Sequence, residues 1–317
     1  MNKLAQPSID VSTTQPVTKV SRRRRPFSLL TVIGQGLRLL ILLLFVIFFG
    51  APLLWLLLAP SKTEPQLFTL PPLAFGSLQN YITSWQHLLL YNDAELLTWT
   101  WNSILYSVSS VVLSVAICLM AGYALAISNF RGRKLILLLT LIVSVIPGFA
   151  FVLPIFLELN AVQLINTSYS VIFPSVFYPF GVYLAFIYFA TSLPPNLLSA
   201  GRVDGCNNWQ LFRYIALPLA KPVVGLLAFF SFVGNWNNFF LPSVMLTDDT
   251  KYNLPVGLAT LLANAPWTHP GSGTAQLPIM RPDIAMAGLF VVFPVAIIFI
   301  FTQRFVIAGM FAGAEKG

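Results

Sequence analysis

Charge is scarce in this sequence. Asp, Glu, Lys and Arg together make up 9% of its 317 residues, whereas a soluble domain carries about a quarter. Hydrophobic residues make up 57%, and the mean hydropathy is +0.79. A soluble domain of this length could not bury so much apolar surface. The shortage of charge therefore excludes a soluble globular protein and predicts an integral membrane protein.

Cysteine and histidine are also rare. The chain has two of each, Cys118 and Cys206, His87 and His269, all far apart. This spacing excludes a Cys/His metal cluster, and no disulfide is expected between an apolar segment and a polar connection. The G-x-x-x-x-G-K-[ST] phosphate loop is absent too, so we expect no ATP hydrolysis by this chain. The sequence predicts neither a metal ligand nor a catalytic residue.

Long apolar runs are what the sequence has in abundance. Six charge-free runs each have roughly the 17–25 residues that a helix needs to cross about 30 Å of hydrocarbon. They predict an all-α integral membrane protein with six transmembrane helices, at Leu39–Leu58, Asn102–Ile127, Leu135–Leu157, Tyr169–Ala190, Val223–Leu246 and Ile284–Thr302.

The basic residues are distributed unevenly between the segments that join these helices. With the N-terminus inside the cell, fifteen of the eighteen Lys and Arg residues fall on the cytoplasmic side, and the outer segments keep Lys62, Lys251 and Arg281. Cytoplasmic segments of membrane proteins carry such an excess. We therefore expect both termini in the cytoplasm. Topology explains the net charge of +8, which then does not indicate a nucleic-acid partner.

Polar residues are concentrated in one connection, residues 191–222, which this topology places in the cytoplasm. Local signals predict two short helices joined by an elbow. Pro194-Pro195-Asn196 suits a helix start, with Pro or Asn at the first positions, and Gly205 suits a helix end with positive φ. Asn207 or Asn208 can cap the helix that follows.

The second of these helices has an aromatic and aliphatic side. Its spacing places Trp209, Phe212 and Ile215 together, and Pro218 is expected to end it. The small residues Ala200 and Gly201 on the first helix would let another backbone approach. These features favour a docking element over a solvated linker.

The connection resembles the cytoplasmic loop of ATP-binding-cassette importer permeases. The family motif has Glu-Ala-Ala, three residues, Gly, nine residues, Ile, one residue and Leu-Pro. The corresponding residues follow the same spacing here: Ser199-Ala200-Gly201, Gly205, Ile215 and Leu217-Pro218. Ser199 replaces the family's Glu and Gly201 its second Ala, so a salt bridge from that Glu is not carried over. Asp204, before the central Gly, is similar to the sugar-importer form.

The resemblance continues through residues 95–317. W-N-S at Trp101–Ser103 is similar to the start of the permease core, and N-F-R-G-R-K at Asn129–Lys134 to its first inner loop. Phe232–Pro242 and Leu254–Leu258 are similar to the fifth helix and the loop beyond it. The C-terminal F-T-Q-R-F-V-I-A-G-M-F-A-G-A-E-K-G is close to the ending of the smaller permease of maltose-type importers.

The resemblance implies the type I ABC importer permease fold in a bacterial cytoplasmic (inner) membrane. The chain would pair with a second permease in a heterodimer, among membrane lipid. It would work with two ATPase subunits, which bind ATP and Mg, and with an extracytoplasmic solute-binding protein; this chain would bind no cofactor. The imported solute would be a sugar or sugar-like compound, such as an oligosaccharide, polyol or glycoside. The coupling helix that docks on an ATPase would include Ser199, Ala200, Gly201, Asp204 and Gly205.

The expected organisation has five parts. The permease core contains five transmembrane helices and the coupling loop. Trp85, Trp99 and Trp101 suit anchoring at the membrane interface. The five parts are a cytoplasmic tail at 1–35, a first transmembrane helix at 36–60, an extracytoplasmic loop at 61–94, the permease core at 95–306 and a cytoplasmic tail at 307–317.

Polar residues near the middle of the fifth apolar run are candidates for the solute pathway: Asn235, Trp236 and Asn238. Amides and an indole would suit a sugar, through hydrogen bonds to hydroxyls and packing on C–H faces. Such residues equally serve as hydrogen-bonding glue between membrane helices, and that alternative stays open. Proline and glycine inside the apolar runs, as at Pro147-Gly148, indicate broken helices along a passage.

The last outer segment, residues 247–283, is long and rich in proline and glycine. It could reach a partner outside the membrane. The candidate contacts with the solute-binding protein are Leu254, Pro255, Val256 and Gly257, where the family resemblance continues.

Two other classes of function are alternatives to the importer permease, and each requires residues of its own. An ion- or proton-driven secondary transporter of a small polar solute needs carboxylates or histidine buried in its helices, and none lies deep in an apolar run. A membrane-embedded enzyme needs a cluster of His, Asp or Glu near one membrane face, and the sequence shows none. The importer permease is therefore favoured, with the secondary transporter as the alternative.

Overall fold

The computed structural model describes residues 29–268 and 279–311, and its regular elements over that range are helical. The tails predicted at 1–35 and 307–317 lie largely outside it. The α-helices are α1 Leu29–Leu58, α2 Glu64–Thr69, α3 Leu78–Leu90, α4 Glu95–Ile127, α5 Arg133–Val145, α6 Val152–Ala161, α7 Ser168–Val176, α8 Pro179–Ser192, α9 Pro195–Val203, α10 Asn208–Leu219, α11 Lys221–Trp236, α12 Phe240–Met245, α13 Leu254–Ala263 and α14 Arg281–Phe311. Short 3₁₀ turns lie at Ala59–Ser61, Tyr91–Ala94, Gly148–Phe151 and Asp249–Lys251.

The chain divides into two compact units, residues 1–51 and residues 52–317. In the first unit, every side chain from 33 to 49 is exposed, and most are large and apolar. Helix α1, which begins in this unit, has 30 residues and no charge after Arg38. Its length and composition suit a helix that crosses hydrocarbon.

Four helices are long and apolar enough to span a membrane, and the number rises to six if each of two bent pairs is one span. The third predicted span is one of these pairs. It bends by 103° between α5 and the segment Gly148–Ala161, because Pro147 cannot continue the helix. The other pair is α10 and α11, which meet at 78°.

The predicted fifth span, Val223–Leu246, is corrected by the structure. Helix α11 ends at Trp236, and α12 begins at Phe240 after a short break. The N–H of Asn237 still bonds to the Val233 carbonyl four residues back, whereas that of Asn238 bonds to the Asn235 carbonyl three residues back, so the helix ends in a tighter turn here. The span is therefore interrupted beside the asparagines that the sequence singled out.

Helix α4 is central in the second unit and packs against α7, α8, α11 and α13. Ser103, Ser107, Ser110 and Ser114 lie buried along it. The Ser114 and Ser231 hydroxyls are 2.9 Å apart in a hydrogen bond that joins α4 to α11. Small side chains let membrane helices approach closely, and the serines serve this purpose here.

The three tryptophans predicted to anchor the membrane interface differ in exposure. Trp85 is half-buried and stacks on Phe290 of α14, with ring centroids 5.6 Å apart. Trp99 is buried, and its indole N–H donates to the Asp249 carbonyl at 2.9 Å. The prediction for Trp99 was wrong, because the residue that accepts its hydrogen bond is distant in sequence. Trp101 is exposed, and interfacial anchoring stays a prediction for Trp85 and Trp101.

The residues predicted to lie on the extracytoplasmic side of the membrane gather at one end of the helical bundle. Arg281, at the start of α14, pairs with Glu64 of α2. The Tyr106 hydroxyl of α4 donates to the Lys251 carbonyl at 2.8 Å. The connection 191–222 lies at the other end of α4, where Phe212 packs on Tyr123 with ring centroids 5.1 Å apart.

Candidate functional site

The elbow between α9 and α10 has the geometry that the sequence predicts. Gly205 has φ of +84°, a value that other residues rarely adopt. The N–H of Cys206 donates to the Gly201 carbonyl at 2.9 Å, and that of Gly205 to the Arg202 carbonyl at 3.1 Å. This pair of bonds is the Schellman motif that ends many helices. A Cβ at Gly205 would contact nothing within 4 Å, so conformation, rather than space, requires glycine here.

Helix α10 begins as predicted and continues further than predicted. The Asn207 side chain accepts from the Gln210 N–H at 2.9 Å, and the Gln210 side chain accepts from the Asn207 N–H at 2.8 Å. Residues 211–216 form a π-helical turn, and the helix passes through Pro218 to Leu219. The expected end at Pro218 is therefore corrected. A π turn forms i to i−5 bonds, so the missing N–H of proline interrupts the helix less.

Gly201 serves packing within the chain. A Cβ there would lie 2.7 Å from a Leu211 methyl carbon and 2.8 Å from one of Ile215. Gly201 is buried, whereas Ser199 and Ala200 on the same helix are exposed. The expectation that Ala200 and Gly201 together admit another backbone is thus corrected, because Ala200 is exposed whereas Gly201 is buried against the same chain.

The outer surface of the elbow is apolar as well as polar. Val203 is 88% exposed and Trp209 is 60% exposed, and they flank the exposed Asp204 and Gly205. Phe212 turns inward to the core, so the predicted stripe of Trp209, Phe212 and Ile215 is divided between surface and interior. Exposed apolar residues beside polar ones are typical of a protein-docking surface.

A cavity of about 630 Å³ opens where the third and fifth spans are broken. Two amides, a carboxylate and several aromatic rings line it. Among the described lining residues, Glu158 is the one with a charged side chain. The lining is completed by Gly148, Phe149, Phe151, Val152, Ile155, Leu159, Phe173, Pro174, Ser175, Phe177, Asn235, Asn238, Phe240 and Leu241.

The two predicted asparagines line this cavity with complementary groups. The amide nitrogen of Asn235 donates to the Ser231 carbonyl at 2.8 Å and to its hydroxyl at 3.2 Å. Its carbonyl oxygen has no partner among the described residues and can accept a hydrogen bond. The side-chain oxygen of Asn238 lies 3.4 Å from the Leu241 N–H, which leaves its NH₂ group to donate. The pair therefore offers a solute one acceptor and one donor.

Trp236 is not among the lining residues of the cavity and faces α14 instead. It is 1% exposed, and its indole N–H donates to the Val291 carbonyl of α14 at 3.0 Å. The predicted role of Trp236 in the solute pathway is therefore corrected. Its side chain instead packs α11 against α14 through a hydrogen bond. By contrast, the side-chain hydrogen bonds of Asn235 stay within α11, and the backbone carbonyl of Asn238 accepts from the Asn253 side chain at the start of α13 at 2.7 Å.

The predicted binding-protein contacts belong to the start of α13, which is largely buried. Leu254, Val256 and Gly257 are buried and Pro255 is partly exposed. A Cβ at Gly257 would collide with the Trp99 ring. These residues hold α13 against α4, so the structure corrects the assignment of Leu254, Val256 and Gly257 as contacts. The exposed positions of α13 are Leu262 and Ala263.

The turn before α13 is also polar and exposed. Asp248 caps the short turn Asp249–Lys251 and accepts from the Thr250 N–H at 3.1 Å and its hydroxyl at 2.6 Å. The Lys251 ammonium lies 3.1 Å from the same carboxylate. These hydrogen bonds, first from Thr250 and then from Lys251, lower the pKa of Asp248 below its ordinary value. This turn is accessible to a partner on its side of the bundle.

Sequence reasoning missed Glu158 and the phenylalanines as cavity residues. Glu158 directly follows the predicted third span, Leu135–Leu157, and was not among the candidate site residues. Phe149, Phe173, Phe177 and Phe240 read as ordinary membrane residues. The sequence signal that could have identified them is Pro147-Gly148. These residues break the third span, and the resulting bend places α6, with Glu158, at the same cavity as the two asparagines.

The sequence matches a known protein family and several curated relatives. The family model described as "Binding-protein-dependent transport system inner membrane component" matches residues 118–312. The arabinooligosaccharides transport system permease protein of Halalkalibacterium halodurans is 38% identical over 73% of this chain and 78% of that protein. The diacetylchitobiose uptake system permease protein of Streptomyces coelicolor is 31% identical over 69% of this chain and 72% of that protein.

The fold also matches a solved structure. A bacterial ABC transporter involved in the import of the acidic polysaccharide alginate has a chain that superposes with a TM-score of 0.75 at 21% identity, covering 88% of this chain and 98% of that chain. The predicted importer permease fold is confirmed. The curated relatives are permease proteins, so this chain is a transport subunit and not an enzyme. It belongs to the family of inner-membrane components of binding-protein-dependent transport systems.

Proposed function

We propose that this chain is one permease subunit of an ATP-driven importer for a sugar or sugar-like solute, with both termini in the cytoplasm. The partners would be a second permease, two ATPase subunits that bind ATP and Mg, and a solute-binding protein outside the membrane. The observation that carries this proposal is the elbow at Gly205, whose exposed surface carries Val203, Asp204 and Trp209. The family and the named substrates of the curated relatives support it.

The packing of α9 and α10 suits the transmission of force from a partner. Gly201 seats α9 on Leu211 and Ile215, so the two helices would move as one body. Phe212 of α10 contacts Tyr123 at the end of α4. The Tyr188 hydroxyl of α8 donates to the Leu219 carbonyl at 2.7 Å. A displacement of the elbow by an ATPase would therefore be passed to α4 and α8 and change access to the cavity.

The cavity chemistry supports an uncharged polyhydroxyl solute. The free acceptor of Asn235 and the free donor of Asn238 match hydroxyl groups, and phenylalanine rings match sugar C–H faces. Glu158 would repel an anionic sugar, because none of the lining residues that the structure describes carries a positive charge. The named substrates of the two curated relatives are the arabinooligosaccharides and diacetylchitobiose. We infer a neutral oligosaccharide or glycoside as the solute.

A copurification experiment tests the coupling surface. The full chain is coexpressed with its partner permease and ATPase subunits, and Val203→Asp is compared with the wild type. We expect Val203→Asp to retain the partner permease and lose the ATPase subunits, because a carboxylate would be placed at the centre of the docking surface. Leu73→Asp, also at an exposed apolar residue but at the other end of the bundle, is the control.

Retention of the ATPase subunits by Val203→Asp would contradict docking at the elbow. Loss of ATPase subunits in both variants would also contradict it, since the effect would then not be specific to this surface.

Uptake of radiolabelled arabino-oligosaccharides and chitobiose derivatives by cells carrying the wild-type complex tests the solute class. Uptake of oligogalacturonate in preference to both would contradict the inference of a neutral solute.

A further inference from the structure

A basic concavity lies at the start of α5 and shares no lining residue with the solute cavity or the elbow. Its volume is about 740 Å³. Three of its seven lining residues are cationic and none is anionic. The lining residues are Asn129, Phe130, Arg131, Gly132, Arg133, Lys134 and Leu137.

The helix end in this concavity is electrostatically unsatisfied. Arg133 and Lys134 occupy the first turn of α5, which contains no acidic residue. The N-cap Gly132 supplies no side-chain hydrogen bond. The Arg133 N–H bonds to the Phe130 carbonyl at 3.4 Å, whereas those of Lys134 and Leu135 have no partner among the described residues. The positive end of a helix dipole disfavours cations beside it. An anion bound between the side chains and the helix end would offset this repulsion.

The three cations are arranged for binding rather than for internal pairing. Arg133 donates to the Asn129 side-chain oxygen at 2.9 Å and lies over the Phe186 ring at 5.7 Å, so its guanidinium is held in place. Arg131 and Lys134 are exposed. Within residues 29–268 and 279–311, none of the ion pairs includes any of the three.

The concavity lies at the level where a membrane surface begins. From Leu135 onward α5 is apolar, and the exposed side chains on its outer arc include Leu138, Leu139 and Ile142. Phe130 is exposed on the other side of the basic residues. Basic and aromatic residues next to an exposed apolar helix are typical of the lipid headgroup region.

We propose that this concavity binds the headgroup phosphate of an anionic phospholipid. Arg131 and Lys134 contact the phosphate, Arg133 is the fixed third cation, and the acyl chains lie along the exposed leucines of α5. A free phosphate ion shares the phosphate chemistry but not the apolar surface. The continuity of the basic residues with that surface favours the lipid.

Lipid binding by the purified full-length chain tests the proposal. Native mass spectrometry measures the retention of phosphatidylglycerol and of phosphatidylcholine with the same acyl chains. We expect a preference for phosphatidylglycerol that falls about thirtyfold in Arg131→Gln/Lys134→Gln, as removal of two charges near a lipid surface implies. Arg131→Lys/Lys134→Arg keeps the charges and should keep the preference. The matched control, Lys221→Gln/Arg304→Gln, removes two exposed charges elsewhere and should change it little.

Several outcomes would overturn the proposal. These are equal retention of both lipids by the wild type, equal losses in the two glutamine variants, or loss in the charge-conserving swap. Displacement of phosphatidylglycerol by inorganic phosphate at the same concentration would assign the site to a free anion. Unchanged lipid retention in Arg131→Gln/Lys134→Gln, with loss of a partner subunit from the coexpressed complex, would assign the concavity to a protein partner.

Discussion

Gly205 sets the angle between the two helices of the elbow. Its φ of +84° costs a β-branched residue about 1–3 kcal/mol. Gly205→Val should therefore displace α10 and abolish uptake while the protein still inserts in the membrane. Asn tolerates positive φ, so Gly205→Asn should keep most of the activity. Solute-stimulated ATPase activity and uptake in reconstituted vesicles measure both. Normal coupling in Gly205→Val would show that the elbow conformation is not needed.

Lys62 illustrates a buried charge with a structural role. It is 1% exposed, and its ammonium donates to the Pro71 and Pro72 carbonyls at 2.8 and 2.9 Å. Lys62→Met should leave both carbonyls unsatisfied and cost about 1–3 kcal/mol for each. Lys251→Met breaks only an exposed ion pair and should cost about 0–1 kcal/mol. Thermal unfolding of the purified complex compares the two variants, and equal melting temperatures would refute this role.

At the scale of elements, the break in the fifth span separates Asn238, the proposed solute contact, from Trp236, which packs against α14. Asn238→Ala should weaken the apparent affinity for the solute about two- to tenfold, the worth of a hydrogen bond of about 0.5–1.5 kcal/mol. Trp236→Phe removes the hydrogen bond to Val291 and should instead lower the stability of the complex by about 0.6 kcal/mol, with unchanged selectivity. Uptake competition among sugars, with a melting curve for each variant, distinguishes the two effects. A selectivity change in Trp236→Phe alone would reverse the assignment.

Helix α13 offers a comparison between neighbouring residues. Leu261 is 1% exposed and Leu262 is 47% exposed. Leu261→Asp should prevent stable assembly, because it places a carboxylate in the core. Leu262→Asp should assemble normally and weaken the stimulation of ATPase activity by loaded binding protein. If stimulation is unchanged in Leu262→Asp, the exposed side of α13 is not a contact for that protein.

At the scale of the whole molecule, the orientation in the membrane rests on the distribution of basic residues. Both native cysteines are first replaced by serine, and single cysteines are then introduced as Leu73→Cys and Val203→Cys, at exposed residues of opposite ends. A membrane-impermeant maleimide should label Leu73→Cys in intact cells and Val203→Cys only in inverted vesicles. The opposite pattern would invert the proposed topology and place the elbow away from any cytoplasmic ATPase.

Local sequence signals were sufficient to predict the features that depend on residues adjacent in the chain. Length and apolar composition determined the membrane class and the helices, because each span forms its own backbone hydrogen bonds in lipid. The elbow was predictable down to the positive φ of Gly205 and a cap at Asn207 or Asn208, of which the structure shows Asn207, since a helix end depends on a few adjacent residues. The match of Ser199–Pro218 to a loop motif identified the family for the same reason.

Only the tertiary structure decided which faces of the helices pack against each other. It turned Trp236 toward α14, buried Leu254 and Gly257 against α4, and seated Gly201 on Leu211. It also placed Glu158 in the same cavity as Asn235 by bending the third span. Membrane helices are apolar on nearly all sides, so their sequences lack the polar and apolar faces that orient soluble helices. The orientation of each helix therefore follows from close packing and hydrogen bonds with distant partners, which no local pattern records.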